Sequence, residues 1–347
     1  MFRKATNASI KMVERYLPDP YIFVILLTFV VFILGMILTS STPMDMVGYW
    51  GDGFWKLLTF SMEMVLILVT GFVLAKSPLF QLLLKKLAGT VKTPGQAIIL
   101  VTVVSLVASW INWGFGLVIG ALFSIELAKQ VKNVDYRLLI ASAYSGFLVW
   151  HGGLSGSIPL KIATPGHFEE KLIGVIPTSQ TIFSTFNLVI VIALVIAVPI
   201  VNRLMLQKDH GHAVDPKLFE KTEAEEATDE EGEMTPADKL ETSKTLAIII
   251  GLLGIWFIVY YFAKGHSLNI DIVNFIFLFL GILLHGTPKK FLKAVGEAVS
   301  GASGIIIQFP FYAGIMGMMV QSGLAAEMSN WFVSISNAYT FPLFTFL

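Results

Sequence analysis

Three observations predict an all-α polytopic membrane protein, built as an inverted repeat with a re-entrant hairpin and a discontinuous helix, its second repeat truncated. The 347 residues are 55% hydrophobic and 14% charged, whereas soluble domains carry about 25% charged residues. The apolar residues gather in long runs, and the mean hydropathy is +0.74. Two of these runs, 97–127 and 138–160, are broken near their centres by Gly, Pro and small polar residues. A bilayer core tolerates non-helical backbone only where it is buried in protein or lines a cavity.

Arg3, Lys4, Lys11 and Arg15 precede the first run, 21–38, which is long enough to span. Residues 39–43 lack a small-residue cleavage site, so a retained span with a basic, cytoplasmic flank is expected. Further runs cover 57–75, 97–127, 138–160, 182–201, 246–262, 270–284 and 302–320. Between Leu206 and Thr245 lie 12 of the 24 acidic residues and almost no aromatics, the composition of a solvated linker. The chain accordingly divides into a first transmembrane repeat (1–205), an acidic cytoplasmic linker (206–244) and an incomplete second repeat (245–347). Zero cysteines exclude a disulfide scaffold and a thiolate metal site.

Charge selects the re-entrant run. If 97–127 enters and leaves on one face, all of the 24 Lys and Arg except Lys56, Lys161, Lys171 and Lys264 share the cytoplasmic side, as the positive-inside rule requires. The arms, 96–111 and 116–131, carry the tip at 110–116 to about mid-depth. Residues 79–87, with Lys85 and Lys86, then read as a helix lying on the cytoplasmic surface. In 151–167, Gly152, Gly153, Gly156, Pro159, Pro165 and Gly166 argue for a crossing helix broken in its middle.

A faint internal repeat supports the inverted architecture. A shift of 245 aligns Thr42 and Pro43 with Thr287 and Pro288, Gly51 with Gly296, Ser77 with Ser322 and Leu79 with Leu324. Five crossings separate the copies, and an odd number inverts the second. The same shift carries Asn112 past Leu347, so the chain is expected to stop before its second tip.

The breaks imply a chemistry. The second arm, starting at Gly116, and the outer half of the broken crossing would both begin at mid-depth. Each start would expose N–H groups and a partial positive charge, and together they would form an anion site. Ser109, Ser155, Ser157 and Thr164 offer hydroxyls and Asn112 an amide; Trp113 and its aromatic neighbours suit a small apolar tail. The inner arms would end with free carbonyls able to favour a coupling sodium ion or proton. Gly116 with Gly120 reads equally as a packing motif. Glu63, inside a span, is a candidate proton carrier or a neutral carboxyl bonded to a neighbour. His151 is a candidate relay or a satisfied buried histidine. Glu126 is expected to pair with Lys129 or Gln130, and Lys161 to snorkel outward. Gly153-Leu154-Ser155-Gly156 also has the form used by intramembrane serine hydrolases, with His285 as the available base.

Ser-Trp-Ile-Asn-Trp-Gly-Phe-Gly at 109–116, His-Gly-Gly-Leu-Ser-Gly-Ser-Ile-Pro-Leu-Lys-Ile-Ala-Thr-Pro-Gly-His at 151–167 and the opening Tyr-Leu-Pro-Asp-Pro-Tyr resemble the bacterial short-chain fatty acid transporter family. The resemblance implies uptake of short-chain fatty acids such as acetoacetate or butyrate across the inner membrane, within a superfamily of ion-coupled carboxylate transporters. It points to Ser109, Asn112 and Gly114 in the tip, and to Gly153, Ser155, Gly156 and Thr164 in the break. It implies that half of the site lies beyond Leu347. No enzyme activity and no cofactor beyond coupling Na+ or H+ are expected. The expected partners are the monocarboxylate, the lipid bilayer and, in a homodimer, a second copy, but not nucleic acid. A dicarboxylate or aminoacyl substrate on the same fold is the alternative.

Overall fold

The computed structural model describes Met12 and residues 15–206, 235–337 and 339–341. Most of the linker, including its run of glutamates, therefore lies outside the described residues. All regular structure among the described residues is helical. In chain order the helices are α1 (Pro20–Leu38), α2 (Pro43–Gly53), α3 (Leu58–Ala75), α4 (Pro78–Ala88), α5 (Pro94–Ile111), α6 (Trp113–Gln130), α7 (Tyr136–Ser145), α8 (Ser157–Ile162), α9 (Glu170–Ile173) and α10 (Thr185–Leu204). After the linker follow α11 (Pro236–Glu241), α12 (Lys244–Ala263), α13 (Ile270–His285), α14 (Pro288–Ser300), α15 (Ser303–Gln321) and α16 (Leu324–Ile335). Short 3-10 segments cover Gly146–Gly152 and Thr178–Gln180.

Local chemistry sets the boundaries. Thr42, Thr93 and Thr235 each close a capping box just before a proline, which holds orphan amides on both sides of the helix start. Asp135, Ser184, Ser243, Asn269 and Thr287 accept from amides two or three residues on. Six helical stretches are long and apolar enough to cross a membrane: 20–38, 58–75, 94–111, 185–204, 236–263 and 303–321. The linker's last residues are helical, since α11 lies inside the stretch read as solvated. Under the 245-residue shift, Pro43 and Leu58, the first residues of α2 and α3, fall on Pro288 and Ser303, the first residues of α14 and α15.

The chain forms two compact units. The first comprises residues 1–62 with 303–347. In it α15 packs on α1 and α2, around Val24, Val31, Met46, Ile315, Met318 and Leu324. The α2–α15 contact is close because glycines meet there: a Cβ on Gly53 would lie 2.8 Å from Gly317 Cα and 2.7 Å from the Ala313 carbonyl.

The second unit, residues 63–302, holds both interrupted segments. Only 11% of α10 is buried, against 50% of α5, which marks α5 as an interior helix of this unit. Asn202 of α10 ties three elements together, its Nδ2 donating to Thr102 Oγ1 (3.1 Å) and Ser145 Oγ (2.8 Å).

Candidate functional site

One residue separates α5 from α6. Asn112 is extended (φ −154°, ψ 126°). Its amide donates to the Ala108 carbonyl (2.9 Å), closing α5, and its Oδ1 accepts the Phe115 N–H (2.9 Å), opening α6. The second arm thus starts at Trp113 and not at Gly116, because the asparagine caps both helices and no loop is needed. Gly116 and Gly120 take the packing role. A Cβ on Gly116 would lie 2.5 Å from Ser109 N and Cα, and one on Gly120 2.8 Å from Ser105 Oγ. On another face the tip meets α3: a Cβ on Gly114 would lie 2.7 Å from Leu68 Cα and 3.0 Å from the Ile67 carbonyl. Gly71 reciprocates, with Asn112 Oδ1 and Phe115 N each 2.5 Å from its would-be Cβ.

The other interruption begins earlier than 151–167 suggested. α7 stops at Ser145, and Gly146–Gly152 winds as a tighter 3-10 segment. Gly146 lies against α5, where a Cβ would stand 2.5 Å from Ser105 C, so the cause is tertiary. Past Gly153, which faces the Trp110 carbonyl, two hydrogen bonds stitch the breaks together. Leu154 N–H donates to the Trp110 carbonyl (2.6 Å), and Trp113 N–H donates to Ser155 Oγ (2.9 Å).

These bonds revise the expected electrostatics. The Trp110 carbonyl, next to last in α5, and the first amide of α6 are each occupied by the partner segment. α8 has six residues, too short to bring a helix-end charge, so α6 alone supplies one. Gly156 turns the loop against the His151 and Gly153 carbonyls, and Ser157 opens α8, buried. Thr164 leaves the junction: its hydroxyl donates to the Leu160 carbonyl (2.7 Å) and faces Ile270 N of α13 (3.5 Å). His151 is exposed, its ring 3.7 Å from that of Trp150, and is not a buried histidine.

Within the tip, residues 109–116, the buried side-chain atoms left unpaired are all donors. Asn112 is fully buried and spends its oxygen on the cap, leaving Nδ2 without a partner. The indole N–H groups of Trp110 and Trp113 are likewise buried and unpartnered. The Trp113 ring packs on Trp150 (5.8 Å) and Phe147 (6.2 Å). Leaving a buried donor unpaired costs about 1–3 kcal/mol. Three such donors within four residues suit a ligand that only accepts, such as a carboxylate.

The side chain that sequence reasoning misplaced is Lys161. It does not snorkel outward. Its Nζ donates to both Glu63 carboxyl oxygens at 2.9 Å, with the side chains 9% and 11% exposed. Glu63 is therefore bonded to a neighbour, and that neighbour is Lys161. A carboxylate buried alone costs far more than a paired one. The signal was present: one acid and one base, each inside an apolar stretch, default to pairing with one another. Asn274 of α13 donates from Nδ2 to the Glu63 carbonyl (3.1 Å) and keeps Oδ1 unpartnered. Glu126 pairs with Lys129 (3.1 Å). His285 bonds the Val73 carbonyl through Nε2 (2.8 Å), and Ser155 Oγ accepts the Trp113 N–H.

Comparison with known proteins gives the family. The family model described as short chain fatty acid transporter matches residues 1–347. A protein of Escherichia coli strain K12 named "Putative short-chain fatty acid transporter" is 45% identical over 348 residues. One of Haemophilus influenzae with the same name is 44% identical over 361. Each alignment covers all of this chain and 79% of the relative. No solved structure matches. The chain belongs to the short-chain fatty acid transporter family.

Proposed function

We propose that the protein is a secondary active transporter that takes up short-chain fatty acids such as acetoacetate and butyrate across the bacterial inner membrane, coupled to H+ or Na+. In this reading the N-terminus is cytoplasmic, α5 and α6 form a re-entrant pair, and the 245-residue repeat is inverted. The substrate carboxylate docks where the two broken segments meet, on donors from Asn112, Trp113 and their neighbours, with the small residues Ser109, Gly114, Gly116, Gly153, Ser155, Gly156 and Ser157 shaping the space. The observation that carries this reading is the fully buried Asn112, whose oxygen is committed to the α6 cap while its Nδ2 has no partner. Interrupted helices of this kind are how many secondary transporters build a substrate site. Among the described residues, Lys161 is the one cation within the broken segments, which favours a monocarboxylate over a dicarboxylate.

The test is uptake of labelled butyrate and acetoacetate into proteoliposomes under an imposed proton gradient and, separately, a sodium gradient. Accumulation is expected under one of them, with competition from other short monocarboxylates and none from succinate. Absence of uptake under both gradients, or competition by succinate alone, overturns the reading.

A further inference from the structure

Lys161 and Glu63 lie on α8 and α3, two elements that flank the junction. Along α8, Lys161 is four residues after Ser157, one turn on the same face, and Ser157 follows the serine that binds Trp113. Along α3, Glu63 is four residues, about 6 Å, before Ile67, whose carbonyl abuts Gly114 at the tip. The pair therefore sits one helical turn from Ser157 along α8 and one turn from Ile67, which abuts the tip, along α3. Glu63 presents its carboxylate to the ammonium through both oxygens, as a fatty-acid carboxylate would.

We propose that Lys161 is the counter-ion for the substrate carboxylate, and that Glu63 occupies it until a proton releases it. The inference rests on the transport reading above and adds its coupling ion. In the exchange, one H+ from the aqueous side binds a Glu63 carboxyl oxygen, Lys161 stays protonated, and the incoming carboxylate replaces that of Glu63. The site begins with one positive and one negative charge and ends with the same two, so one proton accompanies one anion and no net charge moves. Neutrality matters because a buried ammonium without a counter-ion is strongly unfavourable. The neutral Glu63 then needs an acceptor, and Asn274 Oδ1 is unpartnered beside the same turn of α3. The other charge acting on Glu63 is Asp271 in the first turn of α13. His285, at the far end of α13, is bonded to Val73 and faces Lys290 and Glu297.

The experiment pairs butyrate binding to the purified protein, read by tryptophan fluorescence, with proteoliposome uptake and counterflow. In the wild type, affinity is expected to fall with rising pH, approaching tenfold per pH unit, and uptake to be insensitive to an imposed membrane potential. Lys161→Gln loses binding at least tenfold. Glu63→Gln, locked in the released form, exchanges butyrate with no pH dependence and loses proton-driven accumulation. The double variant Glu63→Gln/Lys161→Met removes both charges together; it is expected to remain monodisperse yet not to bind butyrate. Binding by that double variant within threefold of the wild type would show the pair to be structural and overturn the proposal, as would proton-driven accumulation by Glu63→Gln. A wild type that transports nothing under any gradient refutes the transport reading itself, a result distinguishable because binding by the purified variants is read separately.

Discussion

Ser155→Ala tests the stitch between the breaks. Ser155 is fully buried, and its Oγ is the acceptor for the first amide of α6. Alanine leaves that N–H buried without a partner, at a cost of about 1–3 kcal/mol. The Leu154 bond to the Trp110 carbonyl is untouched, so the damage is local. At 1.4 kcal/mol per decade, the Trp113 amide should open about 5- to 150-fold more often. Hydrogen exchange in nanodiscs, read by mass spectrometry on a peptide spanning 110–116, measures this directly. Ser155→Cys, close in size with a weaker acceptor, should fall between the two. Protection at Trp113 equal in the wild type and Ser155→Ala would refute the reasoning.

The remaining expectations concern the tip, one exposed helix glycine and one cap. Gly71→Ala forces a methyl onto Asn112 Oδ1 and Phe115 N, an overpacking that should cost about 1–3 kcal/mol. Gly296→Ala, with no atom within 4 Å of the new Cβ, should melt at or slightly above the wild-type temperature in detergent. Asn112→Ala should lose about 0.5–2 kcal/mol as a cap. Asn112→Asp keeps an oxygen for Phe115 but places a carboxylate at a fully buried position, so it should be less stable than the wild type and take up no butyrate, having exchanged a donor for an acceptor. The Thr42 hydroxyl and amide hold the Asp45 carboxyl below its usual value of 3.8. That contribution is present above pH 3.8 and lost as pH falls through the lowered value. Asp45→Asn should therefore show a smaller loss of melting temperature between pH 6 and pH 3.

Length and polarity made much of the fold legible. The runs 57–75, 246–262 and 302–320 lie within a residue or two of α3, α12 and α15, because a continuous apolar stretch in lipid has no hydrogen-bonding alternative to helix. Asn112 was identifiable as an interruption for the same reason; the Thr-Pro pairs, read from the sequence only as a repeat, prove to start α2 and α14 through their caps. The early end of α7 was not legible, since it depends on Gly146 meeting Ser105, 41 residues before it in the chain. The direction of Lys161 was legible only through the tendency of an acid and a base in apolar stretches to pair, and not from its neighbours in the chain. A lysine stem reaches lipid headgroups or a buried acid with similar ease, and its acid lies 98 residues away. The separation between a free helix end and an occupied one also rests on long-range partners, Ser155 and Leu154, that no local pattern announces.

The meeting of the two interrupted segments is tested most directly by cross-linking, for which a chain with no cysteines offers a clean background. The 2.9 Å bond between Trp113 N and Ser155 Oγ places the two residues within the Cα separation of about 4.4–6.8 Å that a disulfide spans. In native membranes, Trp113→Cys/Ser155→Cys should form a disulfide on mild oxidation, detected as a linked peptide by mass spectrometry. The control Trp113→Cys/Leu172→Cys, with Leu172 exposed on α9, should not. A linked 113–155 peptide is the predicted result; both cysteines remaining free after oxidation, with each reactive to a small thiol reagent, would contradict it.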